Sequence, residues 1–137
     1  MTQIILAIDD DTAMTELLSL LLNSHGVKVL TANTGEDGIA IARKHSPDVI
    51  LVDLMMPGMD GCEVCAQIRM FSNVPLLILS ALDSPGIVAS ALDAGADDYL
   101  VKPVPTGELI ARLNKLARRS SMNNDIKFKP QTTIISA

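Results

Sequence analysis

Tryptophan is absent from this chain of 137 residues, and Phe and Tyr together number three. A core cannot be built around aromatic rings here, so it has to be aliphatic: Ile, Leu, Val, Met and Ala. No apolar run approaches the ~20 residues of a bilayer-spanning helix, and the apolar stretch that opens the chain stops at Asp9 without a basic leader before it. No secretory signal is expected, and the protein reads as cytoplasmic. Cysteine is restricted to Cys62 and Cys65, which excludes a four-thiolate zinc site. Basic residues are scarce in most of the chain. Residues 1–101 hold four Lys or Arg against fourteen Asp or Glu, and none of the four lies between Met70 and Val101. An acidic body of this kind argues against direct nucleic-acid binding, which needs a basic face. Residues 102–137 reverse the balance, seven basic to two acidic, as expected of a solvated helix face followed by a tail.

What is present is an alternation. Nearly unbroken apolar runs occur at Ile4–Ile8, Val27–Ala32, Val49–Val52, Val74–Leu79 and Tyr99–Val101. Continuous rather than alternating hydrophobicity suits strands of a parallel sheet buried on both faces. Stretches of helical length lie between them. Met14, Leu17, Leu18, Leu21 and Leu22 form one stripe, Ile39, Ala40 and Ala42 belong to a second helix, and Leu109, Ile110, Leu113, Leu116 and Ala117 form the last, with Arg112, Lys115 and Arg119 outside it. The punctuation agrees. Asp11 can cap the first helix and Gly26 end it, Asp60 with Glu63 reads as a capping box, Ser84-Pro85 starts a helix, and Gly95 stops it. Five strands alternating with five helices predict an α/β doubly wound parallel sheet, and right-handed crossovers favour the order 2-1-3-4-5. The pattern occupies residues 1–120. Residues 121–137 read as a tail, or as the start of a linker to a truncated output domain, with weakly strand-like stretches at Ile126–Phe128 and Thr132–Ile135.

In an open sheet of this kind, ligands bind beyond the carboxyl ends of the strands. Strand one ends in Asp9-Asp10-Asp11, strand three in Asp53, strand four in Ser80 and strand five in Lys102-Pro103. Converging carboxylates repel and require a cation or partial protonation. Hard oxygen ligands without His or Cys favour Mg²⁺. A divalent ion with the Lys102 ammonium suits phosphoryl transfer, in which catalysis is mainly positioning and electrostatic stabilisation. Asp53 is the natural nucleophile, since a carboxylate can form an acyl phosphate, and Ser80 and Lys102 can then hold the new phosphoryl oxygens.

The segments Leu-Ala-Ile-Asp9-Asp10-Asp11, Val-Asp53-Leu-Met-Met-Pro57-Gly-Met-Asp60-Gly61, Ile-Leu-Ser80-Ala81 and Gly95-Ala-Asp-Asp-Tyr99-Leu-Val-Lys102-Pro103 resemble the motif set of two-component response-regulator receivers. Each is weak alone, but four in this order over residues 3–119 are specific. The resemblance implies a flavodoxin-like receiver fold and a phosphorylation-activated switch, not an enzyme acting on a separate substrate. It implies that Asp53 takes phosphate from a sensor histidine kinase or phosphotransfer protein. It also implies Mg²⁺ held by Asp10, Asp53 and the Met55 backbone carbonyl, with Asp9 acting through water. Ser80 and Tyr99 would be the switch pair, Lys102 the phosphate-binding ammonium, and Lys102-Pro103 a cis peptide. Residues Gly95–Tyr99, Lys102-Pro103, Glu108-Leu109, Ala111-Arg112 and Arg118-Arg119 look like the winged-helix DNA-binding subgroup, whose members pair through the surface of helix four, strand five and helix five. This sequence departs from that pattern: the basic partner expected for Glu108 on helix four is missing, so a homodimer there would rest on apolar contact through Ile87 or Val88.

Other readings compete. Asp9-Asp10-Asp11 imitates the Asp-x-Asp signature of haloacid-dehalogenase-type phosphatases, but Asp97-Asp98 precede Lys102, whereas that family's acidic pair follows its lysine. A phosphate-independent receiver-like interaction module would be free to lose the acidic set and Lys102, both of which are intact. Cys62-Glu-Val-Cys65 matches CxxC in form, yet falls within a helix where small apolar residues pack, and is read as packing rather than redox chemistry.

Overall fold

The computed structural model describes residues 3–120 and the pair 134–135. The chain alternates β1 (Ile4–Ile8), α1 (Thr12–Asn23), β2 (Lys28–Ala32), α2 (Gly35–His45), β3 (Val49–Val52), α3 (Gly61–Arg69), β4 (Leu76–Ser80), α4 (Pro85–Asp93) and β5 (Asp98–Val101). These are followed by a short β6 (Val104–Pro105), α5 (Thr106–Ser120) and β7 (Ile134–Ile135). The five principal strands are all parallel, in the order β2-β1-β3-β4-β5. This is the expected doubly wound sheet with five helices.

The unbroken apolar runs are explained by burial on both faces. Within β1, Ile5 and Ala7 enter one core cluster with α1 and α5, while Leu6 and Ile8 enter a second cluster with α2, α3 and α4. Val49 and Leu51 against Ile50 and Val52, and Leu77 and Leu79 against Leu76 and Ile78, divide in the same way. Successive strand residues point to opposite faces, so a strand covered on both sides has to be apolar at every position. Tyr99 packs against the second cluster and is the only aromatic residue of β5.

The caps follow the sequence closely. The Asp11 carboxylate accepts from the N–H groups of Ala13 and Met14, Asp60 accepts from Glu63 N–H, and Ser84 Oγ accepts from Ile87 N–H ahead of Pro85. Some boundaries differ. β4 starts at Leu76 rather than Val74, because Pro75 has no N–H to donate to a ladder; its carbonyl still accepts from Ile50 N–H. α1 ends at Asn23, and Gly26 stands beyond it at φ +80° in the turn leading to β2. Ala40 lies on the exposed face of α2, while Ile39 and Ala42 are buried. At the tail, Ile134–Ile135 pairs antiparallel with Val104–Pro105. The other strand-like stretch, 126–128, lies outside the described residues.

Candidate functional site

β1 and β3 are neighbours in register, Ile8 beside Val52, so the next residue of each strand, Asp9 and Asp53, emerges at the same edge. The backbone holds both in place: Asp9 N–H donates to the Ala32 carbonyl and Asp53 N–H to the Ile8 carbonyl. Asp9 is buried, Asp53 half-buried and Asp10 exposed. One carboxylate oxygen from each of the three lies within 4.8 Å of the others. Asp9 Oδ1 accepts the Asp11 N–H at 2.9 Å, and the Asn33 side-chain amide donates to the Asp9 carbonyl at 2.8 Å, which fixes the turn into α1.

Lys102 approaches from two strands away. The cis Lys102-Pro103 bond follows β5, and Lys102 N–H donates to the Ser80 carbonyl at 2.8 Å. Its side chain is almost fully buried, and Nζ stands 3.6 Å from Asp9 Oδ2 and 4.0 Å from Asp53 Oδ1. A buried ammonium is retained when it is paired, and here one cation faces two carboxylates. The balance is short of positive charge. Burial first, and then the Asp9 charge, pushes the Asp53 carboxyl up to about 6, with Lys102 opposing. Burial likewise raises Asp9, against the opposing Asp11 N–H and Lys102.

This donor set fits a hard divalent cation. All the side-chain ligands are oxygens, and two oxygens bound to one Mg²⁺ at about 2.1 Å lie no more than about 4.2 Å apart. The observed spacing therefore needs only a small closure.

Ser80 is 1% exposed at the end of β4, between Asp53 and Lys102 in the strand order. Its Oγ accepts the Leu82 N–H at 3.2 Å, and the Leu82 carbonyl accepts the Tyr99 hydroxyl at 2.7 Å. The two residues expected to switch together are thus joined through one peptide segment. No sequence pattern marked Leu82 for this part, because its contribution is made by backbone atoms.

Residues 5–114 match the response regulator receiver domain family. The chain belongs to that family. Over 115 residues, the receiver is 44% identical to the transcriptional regulatory protein AfsQ1 of Streptomyces coelicolor, covering 84% of this chain and 51% of that protein. It is 44% identical over 117 residues to the response regulator MprA of Mycobacterium leprae, covering 85% and 51%. Among solved structures, the receiver domain of Francisella response regulator 1452 superposes with a TM-score of 0.82 at 34% identity, covering 88% of this chain and all of that one. The BeF3-activated receiver domain of Klebsiella pneumoniae RstA gives 0.81 at 31%, covering 85% and 99%. The chain spans about half the length of the curated relatives it matches. As a two-component receiver it is a switch in phosphorylation-dependent signalling, not a conventional enzyme.

Several features stand apart from the acidic edge. Cys65 is fully buried, with burial pushing its thiol up to about 12, and burial also raises Cys62. Neither thiol is poised as a thiolate nucleophile. Glu108, expected to lack a basic partner on α4, pairs within its own helix with Arg112 at 3.6 Å, and Arg112 also donates to Asp98 at 2.8 Å. Arg69 was not singled out by sequence, yet it donates to the carbonyls of Gly95, Ser72 and Val74 and to Asp97, binding the end of α3 to the approaches of β4 and β5. Only the fold brings those acceptors together. No helix among the described residues is long and apolar enough to cross a membrane.

Proposed function

We propose that this receiver accepts a phosphoryl group on Asp53 and converts it into a change of surface. The observation that carries the reading is the meeting of Asp9, Asp10 and Asp53 with a buried Lys102 at one sheet edge. In the step proposed, an Asp53 carboxylate oxygen bonds to phosphorus as the donor's own bond to phosphorus breaks. The electron pair of that bond leaves with the donor, an imidazole nitrogen of a histidine kinase or phosphotransfer protein. The product is an acyl phosphate. Asp10, Asp53 and the Met55 carbonyl would hold Mg²⁺, with Asp9 acting through water. When bound, the ion supplies positive charge to the phosphoryl oxygens.

Lys102 is placed to pair with the charge the new group brings. Ser80 is one strand from Asp53 and supplies a hydroxyl toward the phosphoryl oxygens. If Ser80 turns toward them, its bond from Leu82 N–H is lost, and the Leu82 carbonyl that now holds the Tyr99 hydroxyl moves with it. The α4–β5–α5 surface around Tyr99 is then the output, acting on a partner or on an output domain of a longer chain, where transcription regulation fits the names of the relatives. Residues 1–120 make up the receiver unit in this reading, and 121–137 a tail or linker.

The test is intact mass after incubation with acetyl phosphate and Mg²⁺. A phosphate-sized gain in the wild type, absent in Asp53→Asn and without Mg²⁺, is expected. No gain under any condition would leave a phosphate-independent interaction module as the better reading, and a gain retained in Asp53→Asn but lost in Asp9→Asn would move the acceptor to Asp9.

A further inference from the structure

Beside the acidic edge, between the β3–α3 loop and α4, runs a groove of about 640 Å³ that is open to solvent along one side. Leu54, Met55, Met56, Pro57, Leu82 and Ile87 wall it, and Asp60 and Ser90 stand on its margin. Its volume is that of sites that bury a ligand of several large groups. Met55 is 61% exposed, an unbranched thioether left in water where the fold had no need to place it. Met and Leu walls adapt to varied apolar side chains. The apolar walls are joined in the lining by one carboxylate, Asp60, and the exposed charges on the adjoining segments are acidic. Asp60 lies on the lip, Asp83 follows Leu82, and Asp93 closes α4; all three are exposed, and no Lys or Arg occurs between residues 70 and 101.

We propose that this groove docks an amphipathic segment of a partner protein, with apolar side chains entering between the β3–α3 loop and α4 and lysines or arginines facing Asp60, Asp83 and Asp93. An apolar slot in a negative rim selects such a segment by burial and by sign together, as helix-in-groove recognition does. An acidic or uncharged segment could fill the slot but would gain nothing from its rim. Leu54 follows Asp53 directly, so a phosphoryl group there would deepen the negative field at one end of the groove. That consequence rests on the phosphoacceptor reading; docking itself does not.

The probe is a synthetic helical peptide of leucine and lysine about four turns long, with leucines on one face. A matched leucine–glutamate peptide serves as control. Binding to the full chain is followed by methyl NMR of Met55, Met56 and Ile87, without phosphoryl donor or Mg²⁺, so that failure of Asp53 chemistry does not affect the outcome. Saturable shifts confined to those methyls, at least tenfold weaker with the glutamate peptide, are expected. Ser90→Arg, an exposed change on the groove margin, is expected to weaken the lysine peptide by a similar factor while unfolding like the wild type. Shifts spread over α1 and α5, equal affinity for the two peptides, or unchanged binding by Ser90→Arg would each overturn the proposal.

Discussion

Asp53 carries a cost in the metal-free protein. Its carboxyl is held at about 6 by burial and by Asp9, against an ordinary value of 3.8. Between those values the folded protein binds the proton more tightly than the unfolded chain does, so stability falls as pH rises from about 4 to about 6 and stays lowered above that. Asp53→Asn removes the titrating group. In chelator at pH 7 the variant is expected to be more stable than wild type by on the order of 3 kcal/mol, at about 1.4 kcal/mol per pH unit, with the gap closing toward pH 4. Urea melts at the two pH values check it, and a gap that does not change with pH would count against the charge account. Lys102→Met acts in the opposite sense. It leaves Asp9 and Asp53 without their shared cation, so both carboxyls should move further up, and acetyl-phosphate labelling should fall by tenfold or more in the mass assay.

At the scale of elements, the loop between β3 and α3 is constrained by the residue after the cap. A Cβ built on Gly61 would lie 2.6 Å from the Asp53 carbonyl oxygen and 2.8 Å from Leu54 Cα, both backbone atoms that cannot yield cheaply. Gly61→Ala is therefore expected to destabilise by about 1–3 kcal/mol and to slow labelling as well, because relief of the clash shifts Asp53 itself. Calorimetry and the mass assay read the two effects separately. α4 is held differently. Ser84 caps it and Pro85 opens it, while Ala91 is its single buried residue. With so little burial, the cap matters: Ser84→Ala should cost about 1 kcal/mol and Ser84→Gly only a few tenths, seen as faster amide exchange confined to α4. In the proposed switch, this lightly anchored helix beside Tyr99 is the element best placed to shift with Ser80 and Leu82.

At the scale of the molecule, the face of α4, β5 and α5 closes its ion pairs within one chain. Arg112 meets Asp98 and Glu108, and Arg119 meets Asp97 at 2.6 Å. With those carboxylates already paired and no Lys or Arg on α4, few ionic contacts are left for two copies to make through this face. Sedimentation velocity at micromolar concentration is expected to show a monomer before phosphorylation; a dimer dispersed by Val101→Asp would overturn this. Mg²⁺ is expected to raise the melting temperature of the wild type, by the equivalent of about 2.7 kcal/mol at a hundredfold excess over Kd, and much less in Asp10→Asn.

The layered architecture could be read from the chain alone because its cause is local and repeated: a strand covered on both faces has to be apolar at each position, and caps and breakers mark where the runs end. The chemical edge was legible for a related reason. A parallel sheet sends every strand the same way, so whatever ends or follows each strand, here Asp9, Asp53, Ser80 and Lys102, gathers at one side. Contacts that join distant segments through backbone atoms were not legible. The Leu82 bridge between Ser80 and Tyr99, the Arg69 clasp on three carbonyls, the closing of Glu108 on its own helix and the return of Ile134–Ile135 to Val104–Pro105 leave no mark in residue type or spacing. A carbonyl is the same group in every residue. Which one a side chain meets depends on how the elements pack, and only the tertiary structure decides that.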